Sequence, residues 1–268
     1  ARDGQWEDAK AHWETAAALG PLGGEDFAAS VDAMTHLEDW SSVAAAHETR
    51  VAQTSGRSAQ GTQWLKASLA HARADAAHDA LRCRLAAFQA APNDAQHGDA
   101  ITALATRLSE FGGAAEVYTT ALEERREDVG GMDLRLRLAS WYAGPLANEA
   151  AAHALYEELL AQDPAHPAAL DAVIAAHRSA NAWDDVVRVL SQALPVTTER
   201  PMLIARLGQL ADAQESGQGD TDGALVTWRR LERLGAAEAG ARIEEVCRRD
   251  ERWADLVDRL TTVEATPA

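Results

Sequence analysis

Residues 183–190 read Trp-Asp-Asp-Val-Val-Arg-Val-Leu, and residues 253–260 read Trp-Ala-Asp-Leu-Val-Asp-Arg-Leu. In each, apolar residues follow a leading Trp at i+3, i+4 and i+7: Val186, Val187 and Leu190 after Trp183, and Leu256, Val257 and Leu260 after Trp253. That spacing lays one apolar face along a helix. The pair Asp184-Asp185 suits a first helical turn, where backbone N–H groups are unpaired and the dipole is positive. The same opening recurs at Trp6, followed by Ala9 and Trp13, and at Trp40, followed by Val43, Ala44 and His47. Weaker copies open near Ala77, Phe111, Glu149 and Thr221. The eight starts, at residues 6, 40, 77, 111, 149, 183, 221 and 253, are separated by 34, 37, 34, 38, 34, 38 and 32 residues. A recurring interval near 34 predicts stacked helix–turn–helix units. Extra residues in the longer intervals must sit in loops or lengthen helices. Alternating strand patterns are scarce, and the strong helix formers Ala, Leu, Glu and Arg dominate.

The units resemble the tetratricopeptide repeat family. Trp64, Ser68 and His71 stand in one first (A) helix, with Ala80, Ala87 and Pro92 in the second (B) helix; Arg84 occupies a place where an aromatic is usual. Ala114, Tyr118 and Ala121 repeat the B pattern, and Leu136, Ser140, Ala152, Tyr156, Leu159 and Pro164 form another unit. The resemblance spans residues 1–268 as one array. It implies an all-α, right-handed superhelical solenoid of about seven antiparallel hairpins. Trp6, Trp13, Trp40, Trp64, Phe111, Tyr118, Tyr156, Trp183, Trp228 and Trp253 are expected as structural anchors that fill the grooves between hairpins.

In the repeat family the A helices line a concave face that takes extended peptides or helices. Carried onto this chain, the A register places Arg73, Gln96, Asp99, Arg107, Arg137, Trp141, Asp171, Arg178, Arg206 and Gln209 on that face. Arginines on successive A helices suit bidentate pairing with an acidic peptide or a C-terminal carboxylate. The reading is a non-catalytic scaffold for a protein or peptide partner. Alternatives are a structural segment stacking end to end in a large assembly, and a recruitment domain of a larger enzyme. No polar cap is evident at either end, and solenoids need one. With Ala1 as first residue, this suggests a piece of a longer chain or a subunit of an assembly, with self-assembly through repeat ends as a further partner mode.

Other chemistries find little support. There are 25 basic residues against 42 acidic ones, for a net charge of −17. Such a balance disfavours nucleic acid and anionic membrane surfaces. Residues 1–49 hold two basic residues against ten acidic ones, a balance of −8. Positive charge is nearly all Arg, which reads as the mark of a GC-rich bacterial genome. No membrane insertion is expected, since no run approaches about 18 apolar residues. The cytoplasm is the favoured compartment, with a mature exported form as the alternative. Cys83 and Cys247 are expected as buried small hydrophobes. Nine scattered histidines without a His pair at i, i+4 predict no metal site, and no cofactor or catalytic residue is expected. Gly20-Pro21-Leu22-Gly23-Gly24, Gly130-Gly131 and Gly217-Gln218-Gly219 read as breaks between helices rather than phosphate cradles.

Overall fold

The computed structural model describes residues 2–124 and 131–264, with Gly130 outside them, and the described residues are helices joined by turns. Two compact units emerge, Ala1–Asn148 and Glu149–Ala268. The first contains α1 (Arg2–Leu19), α2 (Gly24–His36), α3 (Trp40–Gln53), α4 (Arg57–Arg73), α5 (Ala77–Ala90), α6 (Asp94–Leu108), α7 (Phe111–Glu124) and α8 (Gly131–Ala143). The second contains α9 (Glu149–Gln162), α10 (Pro167–Ser179), α11 (Trp183–Ala193), α12 (Arg200–Asp212), a π-helical turn (Ala213–Gln218), α13 (Thr221–Arg233), α14 (Ala239–Arg249) and α15 (Trp253–Glu264). Within each unit, helices consecutive in sequence pack together, and in the first unit α5 also meets α7 and α6 meets α8. This is an all-α stack of helix hairpins, with even-numbered helices in the A position and odd-numbered ones in the B position.

One turn design joins the A helices to the B helices. Two residues before the B helix, the backbone enters the left-handed region: Glu38, Asp75, Ser109, Ala147, Asn181 and Glu251 all have φ between 47° and 59°, and Gly219 has φ 70°. In five of these turns the next residue donates its N–H to the carbonyl five positions back. The pairs are Asp39 to Met34 (3.0 Å), Ala76 to His71 (2.9 Å), Glu110 to Ala105 (2.9 Å), Ala182 to His177 (2.8 Å) and Arg252 to Cys247 (2.8 Å). This Schellman arrangement satisfies carbonyls that the helix end leaves open and reverses the chain in few residues. The B helix then starts at once, at Trp40, Ala77, Phe111, Glu149, Trp183, Thr221 and Trp253. Helix α1 differs: it begins at Arg2, so Trp6 lies one turn inside it rather than at its start. Asp39 and Asp220 cap their helices by accepting from the N–H groups of Ser42 (3.1 Å) and Gly223 (3.0 Å).

In two of the three longer intervals, 40–77 and 183–221, the extra residues go into A helices. Helix α4 runs 17 residues. In the 183–221 interval α12 continues through the π turn, so the backbone stays helical to Gln218 and the chain breaks only at Gly219. A π turn absorbs inserted residues without leaving the helix axis. Here it also seats Trp183: a Cβ on Gly217 would stand 2.6 Å from Cγ and Cε3 of that indole. The Gly217-Gln218-Gly219 stretch is therefore partly helical rather than wholly a break.

Small residues let the hairpins close. Ala67, Ala80, Ala87, Ala105 and Ala114 are fully buried, and the Ser68 hydroxyl donates across the α4–α5 hairpin to the Ala80 carbonyl at 2.8 Å. An aromatic chain fills the space beyond. Phe88 stacks on Tyr118 at 4.4 Å and 4°, and Tyr118 meets Trp141 at 4.6 Å. The core of the second unit is mainly aliphatic, built on Leu170, Val186, Leu190, Leu207, Leu225 and Ile243, with Trp228 among them. Both cysteines are buried, as small hydrophobes would be. Among the anchors, Phe111, Tyr118 and Trp228 are buried, and Trp13, Trp64 and Tyr156 half-buried. Trp6 stacks on His36 at 4.2 Å. Trp253 departs from the expectation. It is 57 % exposed, because no described helix packs over that side of α15, and only Leu256 of its apolar face turns inward.

Candidate functional site

The ten residues assigned to the A face fall on five helices. Arg73 lies on α4, Gln96, Asp99 and Arg107 on α6, and Arg137 and Trp141 on α8 in the first unit. Asp171 and Arg178 lie on α10, and Arg206 and Gln209 on α12 in the second. Trp141 is corrected by the structure: it is 2 % exposed and wedged between Tyr118 and Phe111, so it is core and not surface. Position 141 lies four residues from Arg137, on the same side of the helix by spacing, but the helix is rotated so that its indole turns toward α7.

The arginines are engaged within the chain. Arg137 Nη2 donates to Asp99 Oδ1 at 3.0 Å and Nη1 to the Thr102 hydroxyl at 3.1 Å, tying α8 to α6. Arg206 is buried, pairs with the Asp171 carboxylate, and donates to Gln209 Oε1 at 3.0 Å, tying α12 to α10. Arg107 reaches Asp75 in the preceding turn at 2.7 Å. The Arg73 guanidinium lies 4.4 Å from the Trp40 ring centroid, a cation–π contact. Arg178 is half-buried, and its Nε has no hydrogen-bond partner. In the three ion pairs the carboxylate is the outer member: the side chains of Asp75, Asp99 and Asp171 are 84 %, 98 % and 61 % exposed, against 55 %, 21 % and 4 % for their arginines. The A face therefore presents carboxylates where the sequence suggested guanidinium groups. Gln96 is exposed beside them.

Three further clusters are brought together by the fold. Glu48 on α3 accepts from His71 Nε2 (2.6 Å) on α4 and from Arg82 Nη2 (2.9 and 3.0 Å) and Cys83 Sγ (3.5 Å) on α5. Burial pushes the Glu48 carboxyl up, but these donors outweigh it and hold it below its ordinary value. Burial and the neighbouring Glu48 charge push the Cys83 thiol up to about 12, leaving it protonated and inert as a nucleophile. Glu215, in the π turn, is almost fully enclosed and accepts from Trp228 Nε1 (3.3 Å), Arg242 Nη2 (3.3 Å) and Arg249 Nη1 (2.7 Å). On α9 and α10, His153, Glu157 and His177 converge, with their ligand-capable atoms all within 4.8 Å of one another. Sequence reading missed this last group because it sought two histidines on one helix. The available signal was a His and a Glu four apart on α9, with the second His on the next helix.

Open grooves lie between hairpins. The α1–α3 groove holds about 540 Å³ and is lined by Trp13, Leu19, Phe27, Met34 and Arg50, among others. No described helix is long and apolar enough to cross a membrane.

No protein-family model matches the chain, and no curated protein matches it. Solved structures that it is similar to include the C-terminal part of a TPR repeat-containing protein from Cytophaga hutchinsonii, at 12% identity and a TM-score of 0.45 over 81% of each chain. A tetratricopeptide repeat protein from Parabacteroides merdae is similar at 12% identity and a TM-score of 0.34, covering 91% of this chain and 92% of that one. The yeast Sti1 TPR2AB domain, in a structure described as a complex with pHSP90, is similar at 13% identity and a TM-score of 0.33, covering 94% and 92%. These are distant likenesses, and the hairpin architecture is read from the chain's own helices.

Proposed function

We propose that this chain is a non-catalytic scaffold that binds a protein or peptide partner on its A-helix faces. The observation that carries the reading is the division of labour in each hairpin. Stacking uses up the apolar sides, while in each compact unit an A helix keeps a carboxylate in the open, Asp99 on α6 in the first and Asp171 on α10 in the second. Such a surface is suited to an extended segment that contacts several units in turn. Because Arg137 and Arg206 are turned inward onto these carboxylates, the outer member of each pair is the negative one, and a segment rich in Lys or Arg is the matching class. Selection of binders from a random peptide library tests this. Basic sequences are expected, with affinity weakened several-fold by Asp99→Lys or Asp171→Lys. Enrichment of acidic sequences, or indifference to both substitutions, would contradict it.

A second reading is self-association. It draws on the stripe of Trp253, Val257 and Leu260 on α15, exposed by 57 %, 60 % and 45 %. Concentration-dependent mass in light scattering, abolished by Trp253→Ser, is its expected result. A constant monomer mass would sink it.

A further inference from the structure

We propose that His153, Glu157 and His177 form a site for one divalent transition-metal ion, with Zn²⁺ the best fit, that clips α9 to α10. The inference is independent of the partner-binding reading. His153 and Glu157 are four residues apart on α9 and so share one face of that helix. His153 Nε2 stands 3.7 Å from Glu157 Oε1. His177 comes from α10, the antiparallel neighbour, and its ring meets that of His153 edge to face, with centroids 5.3 Å apart at 81°.

A second observation points to a ligand. His177 Nε2 is buried with no hydrogen-bond partner. Buried polar atoms are rarely left so, and an ion held by His177 Nε2 would satisfy this one. Two imidazole nitrogens and one carboxylate oxygen are a borderline donor set, matched to Zn²⁺ rather than to Mg²⁺ or Ca²⁺, which prefer all-oxygen shells. A tetrahedral Zn²⁺ with bonds near 2.0–2.1 Å needs ligand atoms about 3.4 Å apart. His153 and Glu157 nearly meet that already, and a side-chain rotation of His177 closes the third edge.

The surroundings leave room for the ion and its charge. Glu157 lines an open groove together with Arg188 and Gln192, which gives water access to a fourth coordination position. The Arg188 charge is offset by Asp185 at 2.7 Å. Asp185 is itself near enough for both imidazoles to act on its carboxyl, so it adds negative potential beside the site. Arg178, next to His177, is the one opposing cation on α10. The Glu48–His71–Cys83 cluster makes an internal contrast: its carboxylate is already saturated by His71, Arg82 and Cys83, with a guanidinium where a cation would sit.

The test is calorimetric titration of Zn²⁺ into the chelator-treated full chain, with Co²⁺ as a spectroscopic stand-in. One equivalent is expected to bind, with a visible Co²⁺ band of tetrahedral type. Holding Zn²⁺ at about 100 times its Kd should raise Tm by about 5–10 °C. His153→Ala and His177→Ala should each weaken binding by at least about tenfold, while His71→Ala leaves it unchanged. Circular dichroism reports whether the variants stay helical, and His177→Gln replaces any that do not. The proposal is overturned if the wild-type chain shows neither a Zn²⁺ heat nor a Co²⁺ band. It is equally overturned if the His153→Ala/His177→Ala double variant binds as tightly as wild type.

Discussion

Arg84 is 9 % exposed on α5, and its Nε has no hydrogen-bond partner. Burial lowers its affinity for the proton, the direction expected of a cation taken out of water. It stands at a position where the repeat pattern calls for an aromatic, and the fold has kept the enclosure without the matching side chain. Arg84→Met retains the length and removes the charge, so it should stabilise the chain by about 1–2 kcal/mol. Urea denaturation checks this, and a lower midpoint would refute it. His47 makes a complementary case. It is 5 % exposed, contacts Gln63 Oε1 at 2.8 Å and meets the Phe27 ring edge-on. Desolvation is the main cause that lowers its pKa from 6.5, with the Lys66 charge adding to it, and the bond to Gln63 opposes both. The folded state thus favours neutral His47. Its stabilising contribution is complete above pH 6.5 and is lost as pH falls from there toward the folded pKa, because the unfolded chain takes up the proton first. Glu48, lowered from 4.5, adds its own loss only at more acidic pH. Denaturant midpoints at about pH 7.5 and about pH 5.5 should therefore differ for wild type and converge for His47→Gln. An equal acid loss in both proteins would rule out His47 as the source.

At the scale of the element, the recurrent turn explains why the interval was so legible in the sequence. A left-handed residue two places before each B helix from α3 onward fixes where the reversal ends, and at four of these seven helix starts a Trp or Phe follows. The eye catches the Trp; the turn residues Glu38, Asp75, Ser109, Ala147, Asn181 and Glu251 carry five different side chains over six positions and so escaped notice. A non-glycine residue at positive φ carries a cost of about 1 kcal/mol. Ala147, with no polar side chain to bond its own backbone, bears that cost without compensation. Ala147→Gly should raise stability by about 0.5–1 kcal/mol, measured as an upward shift in Tm, and a fall would mean the turn is held otherwise. The π turn makes the opposite prediction. Gly217→Ala drives a methyl into the Trp183 indole, which is packed against the core of the second unit. It should cost about 1–3 kcal/mol, and Gly217→Ala should cost much less in a Trp183→Leu background. Equal costs in the two backgrounds would show that the clash is relieved elsewhere. The site was less legible than the fold for a physical reason. Spacing along one helix says which residues share a face but not which way the helix is rotated, and so Trp141 was placed outside. It is also silent about partners a repeat away. Arg206 and Asp171 are 35 residues apart, and only the stacked hairpins bring them together.

For the whole molecule, the net charge of −17 acquires a location. The sequence offered arginines to an acidic partner. The fold spends Arg107, Arg137 and Arg206 on ties between successive units and leaves Asp75, Asp99 and Asp171 as their outer members. The Arg107–Asp75 and Arg137–Asp99 pairs contribute little stability by themselves, about 0–1 kcal/mol each, so their carboxylates remain for a partner's cations to engage. The central claim is that partners bind the A helices while the B helices serve the stack. Hydrogen–deuterium exchange, measured with and without the tightest peptide selected from a random library, tests that most directly. The predicted result is added protection in A helices, on α6 and α8 or on α10 and α12. Protection confined to the odd-numbered helices would contradict the account.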